Sequence, residues 1–109
     1  QFATAAPEAH ITFLDSLGDR HVEGGYAFVH AGVAPGVALA DQKEEDLLWI
    51  RKRFLDSRAM HDYVIVHGHS PSRIIENKEN RINVDTGAVY GGPLTAVVLA
   101  GTGRTFLQA

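Results

Sequence analysis

Two histidines, His30 and His69, each follow a short apolar run that stops at a glycine-containing turn. The runs are residues 26–29 and 63–66, both rich in strand-forming residues. Neutral imidazole is the commonest nitrogen ligand of divalent transition metals, and groups at strand ends are held firmly yet stay accessible. The two residues are therefore a candidate metal site. A turn histidine hydrogen-bonded to the backbone fits each position as well, and chemistry alone leaves both interpretations open.

Two other groups of residues could in principle bind a metal. His67 and His69 stand at positions i and i+2, which face the same way in an extended chain and could chelate one ion. Asp15, Asp19 and His21 are close together in the sequence, but a solvated helix end and loop accounts for them better.

Arg51 lies in a helical pattern that spans residues 46–55. If that helix is unbroken, its periodicity centres Arg51 on the apolar stripe formed by Leu47, Phe54 and their neighbours. Because burying an unpaired charge costs several kcal/mol, the guanidinium then needs an anionic partner. A carboxylate or the phosphate of a ligand would serve equally, and the pattern does not choose between them.

The elements that carry these residues alternate between helix and strand. The spacing predicts helices over residues 7–17 and 46–55, with buried strands at 26–29 and 63–66. Further along, apolar segments at 73–75 and 81–85, and then at 94–99 and 105–107, flank polar turns, which predicts antiparallel sheet. The fold class predicted is α/β.

Composition excludes several classes of protein. With 109 residues, 45% of them hydrophobic and 21% charged, the chain is globular and forms one domain or part of one. A net charge of −3 offers no field for nucleic acid, and no apolar run is long enough for a membrane span. The absence of cysteine excludes disulfides and fits a cytoplasmic protein. The first residues lack a Met and the order of a signal peptide, so we expect a chain entered partway.

Four sequence blocks in this order resemble the bacterial phosphoprotein phosphatases, which belong to the calcineurin-like metallophosphoesterases. They are residues 28–35 (FVHAGVAP), 47–51 (LLWIR), 66–71 (VHGHSP) and 83–88 (NVDTGA). Each block is weak alone, and the order and spacing carry the likeness. The resemblance covers about residues 10–100.

The resemblance implies a fold and a set of site residues. The fold would be part of a four-layer α/β/β/α sandwich, with residues 1–109 as the C-terminal part of the domain and mostly antiparallel sheet. His30 and His69 would ligate one metal ion, Arg51 would contact the substrate phosphate, and His67 would be a neighbour only. The family's earlier blocks, such as Gly-Asp-x-His-Gly and Gly-Asn-His-Glu, are missing, so no catalytic residue is assigned in this chain.

The resemblance also implies an activity. The complete protein would bind two divalent metal ions, with manganese expected first and iron or zinc as alternatives. It would hydrolyse phosphoserine and phosphothreonine in proteins by direct attack of water. A dinucleoside polyphosphate hydrolase and a noncatalytic binding module are the alternative functions. The chain alone is expected to be inactive, with the N-terminal half of the domain as its partner.

Overall fold

The computed structural model of the protein describes residues 7–109, which form three short helices and seven strands in a mixed α/β arrangement. The helices are α1 (Glu8–Asp15), α2 (Glu44–Trp49) and α3 (Lys52–Leu55), and two single 3₁₀ turns lie at Leu39–Asp41 and Ala88–Tyr90. The strands are β1 (Arg20–Glu23), β2 (Tyr26–Val29), β3 (Val64–His67), β4 (Glu76–Asn77), β5 (Arg81–Asn83), β6 (Thr95–Ala100) and β7 (Gly103–Gln108). The predicted α/β class is confirmed.

Five strands form one sheet in the order β1-β2-β3-β5-β4, and β6 pairs with β7 in a separate hairpin. The edges of the sheet and the hairpin are antiparallel, as predicted for the C-terminal part of the chain. The central strands β2, β3 and β5 run parallel, which the sequence did not predict. The strand expected at residues 73–75 lies instead at Glu76–Asn77, where it pairs with β5.

The core lies between the sheet and the helices α2 and α3. Its central members are Ala27 on β2, Ile65 on β3, Leu47 on α2 and Phe54 on α3, all nearly inaccessible to solvent. Small residues of the loop after β2 complete the cluster, so this loop is packed rather than free. Strand β2, which precedes His30, and the loop that follows His30 are therefore both anchored in the core.

The predicted unbroken helix over residues 46–55 is wrong. The chain leaves helical conformation at Ile50 and Arg51, which separates α2 from α3. The Leu47 carbonyl, which a continuing helix would bond to the Arg51 N–H, instead accepts the Ala31 N–H at 2.7 Å. Arg51 is therefore exposed and does not lie on an apolar stripe, so it has no buried charge that would require an anionic partner.

The helix predicted at residues 7–17 is present over Glu8–Asp15, with Pro7 preceding its first turn. It exposes large apolar side chains, including Phe13 and Leu14. Among residues 7–109, no helix is long and apolar enough to cross a membrane.

Candidate metal centre

The carboxyl ends of the three parallel strands meet at one edge of the sheet, and the candidate site lies there. His30 follows β2, His69 follows β3, and Asp85 follows β5. The loops are tied together, since the Gly68 N–H donates to the His30 carbonyl oxygen at 2.8 Å. A shallow groove of about 360 Å³ runs along this edge and is lined by all three residues. Binding sites of open α/β sheets are commonly found at such an edge.

The structure brings His30 and His69 into direct contact, although 39 positions separate them in the chain. The His30 Nε2 and His69 Nδ1 atoms lie 3.2 Å apart, and the ring centroids are separated by 4.9 Å. Two nitrogen ligands about 2.1 Å from one cation, with an angle of about 100° between them, would have this separation. Either a shared proton or a cation can occupy the space between the two nitrogens.

His69 is the only non-glycine residue of the described chain with a positive φ, at 67°. The Ser70 N–H donates to the Gly68 carbonyl oxygen at 2.8 Å, so His69 is the central residue of a tight three-residue turn. This turn ends the alternation of the strand, and His67 and His69 do not face the same way. The alternative in which these two histidines chelate one ion is therefore wrong.

His67 belongs to the protein interior. Its ring packs edge-on against Phe54, with centroids 4.9 Å apart, and the Arg81 guanidinium donates to its Nε2 at 3.1 Å. Because Nε2 accepts, the ring proton is on Nδ1, which donates to the Gly68 carbonyl oxygen at 3.2 Å. Burial lowers the pKa of His67 from its ordinary value of 6.5 to about 4, and the nearby Arg81 charge contributes in the same direction. His67 is thus a neutral, structural residue.

We expect His67 to make folding stability dependent on pH. The folded state takes up this proton with a pKa of about 4 and the unfolded state with a pKa of 6.5, so the unfolded state binds more protons in between. Stability is complete above pH 6.5 and falls by about 3 kcal/mol as the pH drops towards 4. Denaturant unfolding of wild type and His67→Gln across this range measures the effect. Curves that stay parallel would contradict it.

Arg51 and Trp49 lie beside the histidine pair. Burial lowers the pKa of His69, and the positive charge of Arg51 lowers it further. The Arg51 guanidinium is therefore within electrostatic range of the His69 ring. Trp49 is 67% exposed and meets the His69 ring edge-on, with centroids 5.6 Å apart. The break after α2 therefore presents one cation and one aromatic surface next to the two imidazoles.

The loop that carries His30 is fixed by a buried glutamine that the sequence did not reveal. The Gln42 side chain accepts the Ala34 N–H at 2.8 Å and donates to the carbonyl oxygens of Ala34 and Val37, both at 2.9 Å. Nothing in the local pattern distinguishes Gln42 from its charged neighbours. Through these three contacts the Gln42 side chain satisfies backbone N–H and C=O groups of the loop.

Of the third group of residues, Asp15, Asp19 and His21, the structure describes the side chains of Asp19 and His21, and neither belongs to a cluster of three or more candidate metal ligands. The Arg20 guanidinium donates to both Asp19 carboxylate oxygens, at 3.0 and 3.2 Å, and this contact lowers the pKa of Asp19. His21 is exposed, with Glu23 at 3.9 Å. Asp19 lies at a half-buried bend, and His21 is a solvent-exposed residue of strand β1 rather than of a loop. The side chain of Asp15 is outside what the structure describes.

The donor set suits part of a metal site. His30 and His69 present two facing nitrogens, and the remaining His69 nitrogen, Nε2, is buried with no hydrogen-bond partner in residues 7–109. Within that same span, however, no group of three or more His, Cys, Asp or Glu side chains is arranged to hold an ion. The pair can therefore supply two ligands of one cation, and further ligands must come from elsewhere.

Comparison with known proteins identifies a solved structure of similar fold. No protein-family model matches the chain, and no curated protein matches it. A solved structure described as "Crystal structure of a putative diadenosine tetraphosphatase" superposes with a TM-score of 0.82 at 22% sequence identity. The match covers 97% of this chain and 57% of the other, so the chain spans little more than half of that protein. At this identity the likeness establishes architecture alone, so the chain shares the mixed α/β fold of that structure.

Proposed function

We propose that the complete protein is a metal-dependent phosphoesterase, in which His30 and His69 are two ligands of one divalent cation and Arg51 binds the substrate phosphate. The observation that carries this proposal is the meeting of the two imidazoles at 3.2 Å on the edge of the sheet. The fold shared with the solved structure supports it. We expect two metal ions in the complete protein, with manganese first and iron or zinc as alternatives.

The roles of the residues follow from their positions. His30 and His69 would orient a cation at the mouth of the groove, held by loops that Gln42 and the sheet keep rigid. A bound divalent cation supplies Lewis-acid stabilisation of negative charge on phosphoryl oxygens. Arg51 would add a planar, permanently charged donor fork suited to two phosphate oxygens. Arg51 is exposed and already lies near His69, so it can reach a phosphate bound there.

The substrate we propose is phosphoserine or phosphothreonine in a protein, hydrolysed by direct attack of water. The four ordered sequence blocks support this choice. The second candidate is a dinucleoside polyphosphate, favoured by the description of the solved structure of similar fold. A noncatalytic binding module is the third.

A side-by-side assay of the complete protein separates these candidates. Phosphopeptide and dinucleoside tetraphosphate are offered after removal of metal and again after addition of Mn²⁺. We expect Mn²⁺-dependent release of phosphate from the phosphopeptide and slower turnover of the nucleotide. The opposite preference would establish the second candidate, and failure with both substrates at every metal would leave the binding module.

Replacement of Arg51 tests its role separately. We expect Arg51→Ala in the complete protein to lower kcat/KM by about 10²-fold or more with unchanged metal content, since a fixed cation on a transferring phosphoryl group contributes about 3 kcal/mol. Arg53→Ala is the matched control, because Arg53 is an exposed neighbour whose ionic contact to Asp46 is loose, at 4.0 Å. Equal effects of the two substitutions would contradict the assignment.

We further propose that the other half of the domain is the chain's main protein partner. Exposed apolar side chains on α1 and on the β6–β7 hairpin, such as Phe13 and Leu107, are candidates for that contact. Two imidazoles without the remaining ligands bind a cation weakly and cannot form a two-metal centre. We therefore expect residues 1–109 alone to be inactive.

A further inference from the structure

Behind the candidate site lies a chain of buried polar side chains that has no role in the function proposed above. Arg81, Asn83 and His67 are 2%, 1% and 3% exposed, respectively. Arg81 is hydrogen-bonded to His67, and Arg81 and Asn83 share the acceptor Glu76. Buried polar groups are costly unless they are satisfied, so such a network needs a structural or functional reason.

The network converges on a single atom. The Oε1 atom of Glu76 accepts the Arg81 guanidinium at 3.0 Å and the Asn83 side-chain amide at 3.0 Å. From there two arms extend. Arg81 donates with the same terminal nitrogen to His67, and Asn83 donates with the same amide nitrogen to the Ser70 carbonyl oxygen at 2.9 Å. Each of these nitrogens carries two hydrogens, so both donors are fully used.

The two arms end on either side of His69. The first continues from His67 to the Gly68 carbonyl oxygen, and the second ends at Ser70. His69 between them has the left-handed φ of 67°, a conformation that costs about 1–3 kcal/mol for such a residue and persists when the surroundings enforce it. The network therefore contacts the Gly68–His69 peptide group on one side of this strained position and the Ser70–Pro71 peptide group on the other.

We infer that Glu76, Arg81, His67 and Asn83 form a clamp that holds the Gly68–Ser70 turn in its strained form and so positions the His69 imidazole against His30. These are positioning residues, since the His67 ring nitrogens and the donors of Arg81 and Asn83 described above are engaged within the network and with the turn. Residues that orient metal ligands typically change metal affinity by about 10- to 100-fold when replaced. The predicted effect of the clamp on metal binding rests on the proposed function. Its effect on the conformation of the turn does not.

The test uses the complete protein with Co²⁺ as the metal probe and backbone hydrogen exchange as a second, metal-free measurement. Glu76→Ala removes the shared acceptor of both arms. We expect Co²⁺ affinity to fall about 10-fold or more and exchange at the Ser70 amide to accelerate relative to the Leu94 amide in the hairpin. Glu76→Gln keeps an acceptor oxygen, and we expect it to restore Co²⁺ affinity to within about threefold of wild type.

Glu79→Ala is the matched control, because Glu79 is an exposed carboxylate in the turn between β4 and β5. If Glu76→Ala does not fold, Asn83→Ala removes one arm and is expected to show the same two changes. A folded Glu76→Ala or Asn83→Ala protein with wild-type Co²⁺ affinity and Ser70 exchange overturns the clamp. Wild-type protein that binds no Co²⁺ overturns the proposed function instead, and the Ser70 exchange then decides the clamp alone.

Discussion

Substitution of His69 by alanine is expected to reduce the activity of the complete protein by about 10³-fold and to lower its metal content, because a lost ligand removes Lewis-acid stabilisation of about 4 kcal/mol. His30→Ala is expected to do the same, because the two imidazoles face one site at 3.2 Å. Steady-state kinetics and metal analysis of the purified variants give both quantities. His30 has an ordinary exposed position, so its replacement avoids the backbone strain present at His69.

The double variant makes this prediction sharper. If the residues share one ion, removing the second ligand costs little more than removing the first, so the effects are strongly non-additive. His21→Ala, an exposed histidine on β1, is the control and should resemble wild type. Losses that multiply in the double variant, or a full metal complement in either single variant, would refute a shared site.

Gly32→Ala is expected to reduce the free energy of unfolding by at least about 3 kcal/mol. A Cβ atom at Gly32 would collide with the Phe54 ring, coming within 2.7 Å of Cγ and still nearer to Cδ2. The φ of Gly32 is 155°, which side chains rarely adopt. Phe54 is completely buried and also packs on His67, so it has no room to withdraw. Chemical denaturation measures the change.

Gly36→Ala is the control for this prediction. Gly36 belongs to the same loop and has a φ of 78°, but a Cβ there meets nothing within 4 Å. It should therefore cost only the backbone strain of about 1 kcal/mol. Similar losses for both glycines would mean that conformation, rather than the contact with Phe54, requires glycine after His30 and Ala31.

The strands that end in histidine could be predicted because their signal is local. Apolar runs at residues 26–29 and 63–66 that stop at glycine indicate buried strands with exposed ends, and β2 and β3 lie at or within one residue of those positions. That both ends meet requires the strands to be parallel neighbours, which the sequence did not show. The resemblance paired His30 with His69, and their contact agrees with it, while metal ligation by the pair stays a prediction.

The features that sequence reasoning missed depend on distant partners. The helix break at Arg51 arises because Ala31, in another loop, takes the Leu47 carbonyl. Helix propensity and hydrophobic periodicity depend only on residues that are near in sequence, so they predict an unbroken helix here. Nothing in the local pattern marks Arg81 as buried, since its burial depends on the distant partners Glu76 and His67. From the sequence, only the resemblance supports a role for Arg51 in the site, since the residue does not lie on a helical apolar stripe.

The parallel pairing of β2 with β3 has one more consequence. Parallel neighbours cannot be joined by a tight turn, so the chain must cross over the sheet between them, and α2 and α3 form that crossover. His30 stands where the crossover leaves β2, Arg51 at its middle, and His69 just beyond the strand to which it returns. A single β-α-β unit, residues 26–70, therefore carries His30, Arg51 and His69, whereas the residues that hold the His69 turn come from β4 and β5, so transplanting the three groups onto another parallel sheet would require those two strands as well.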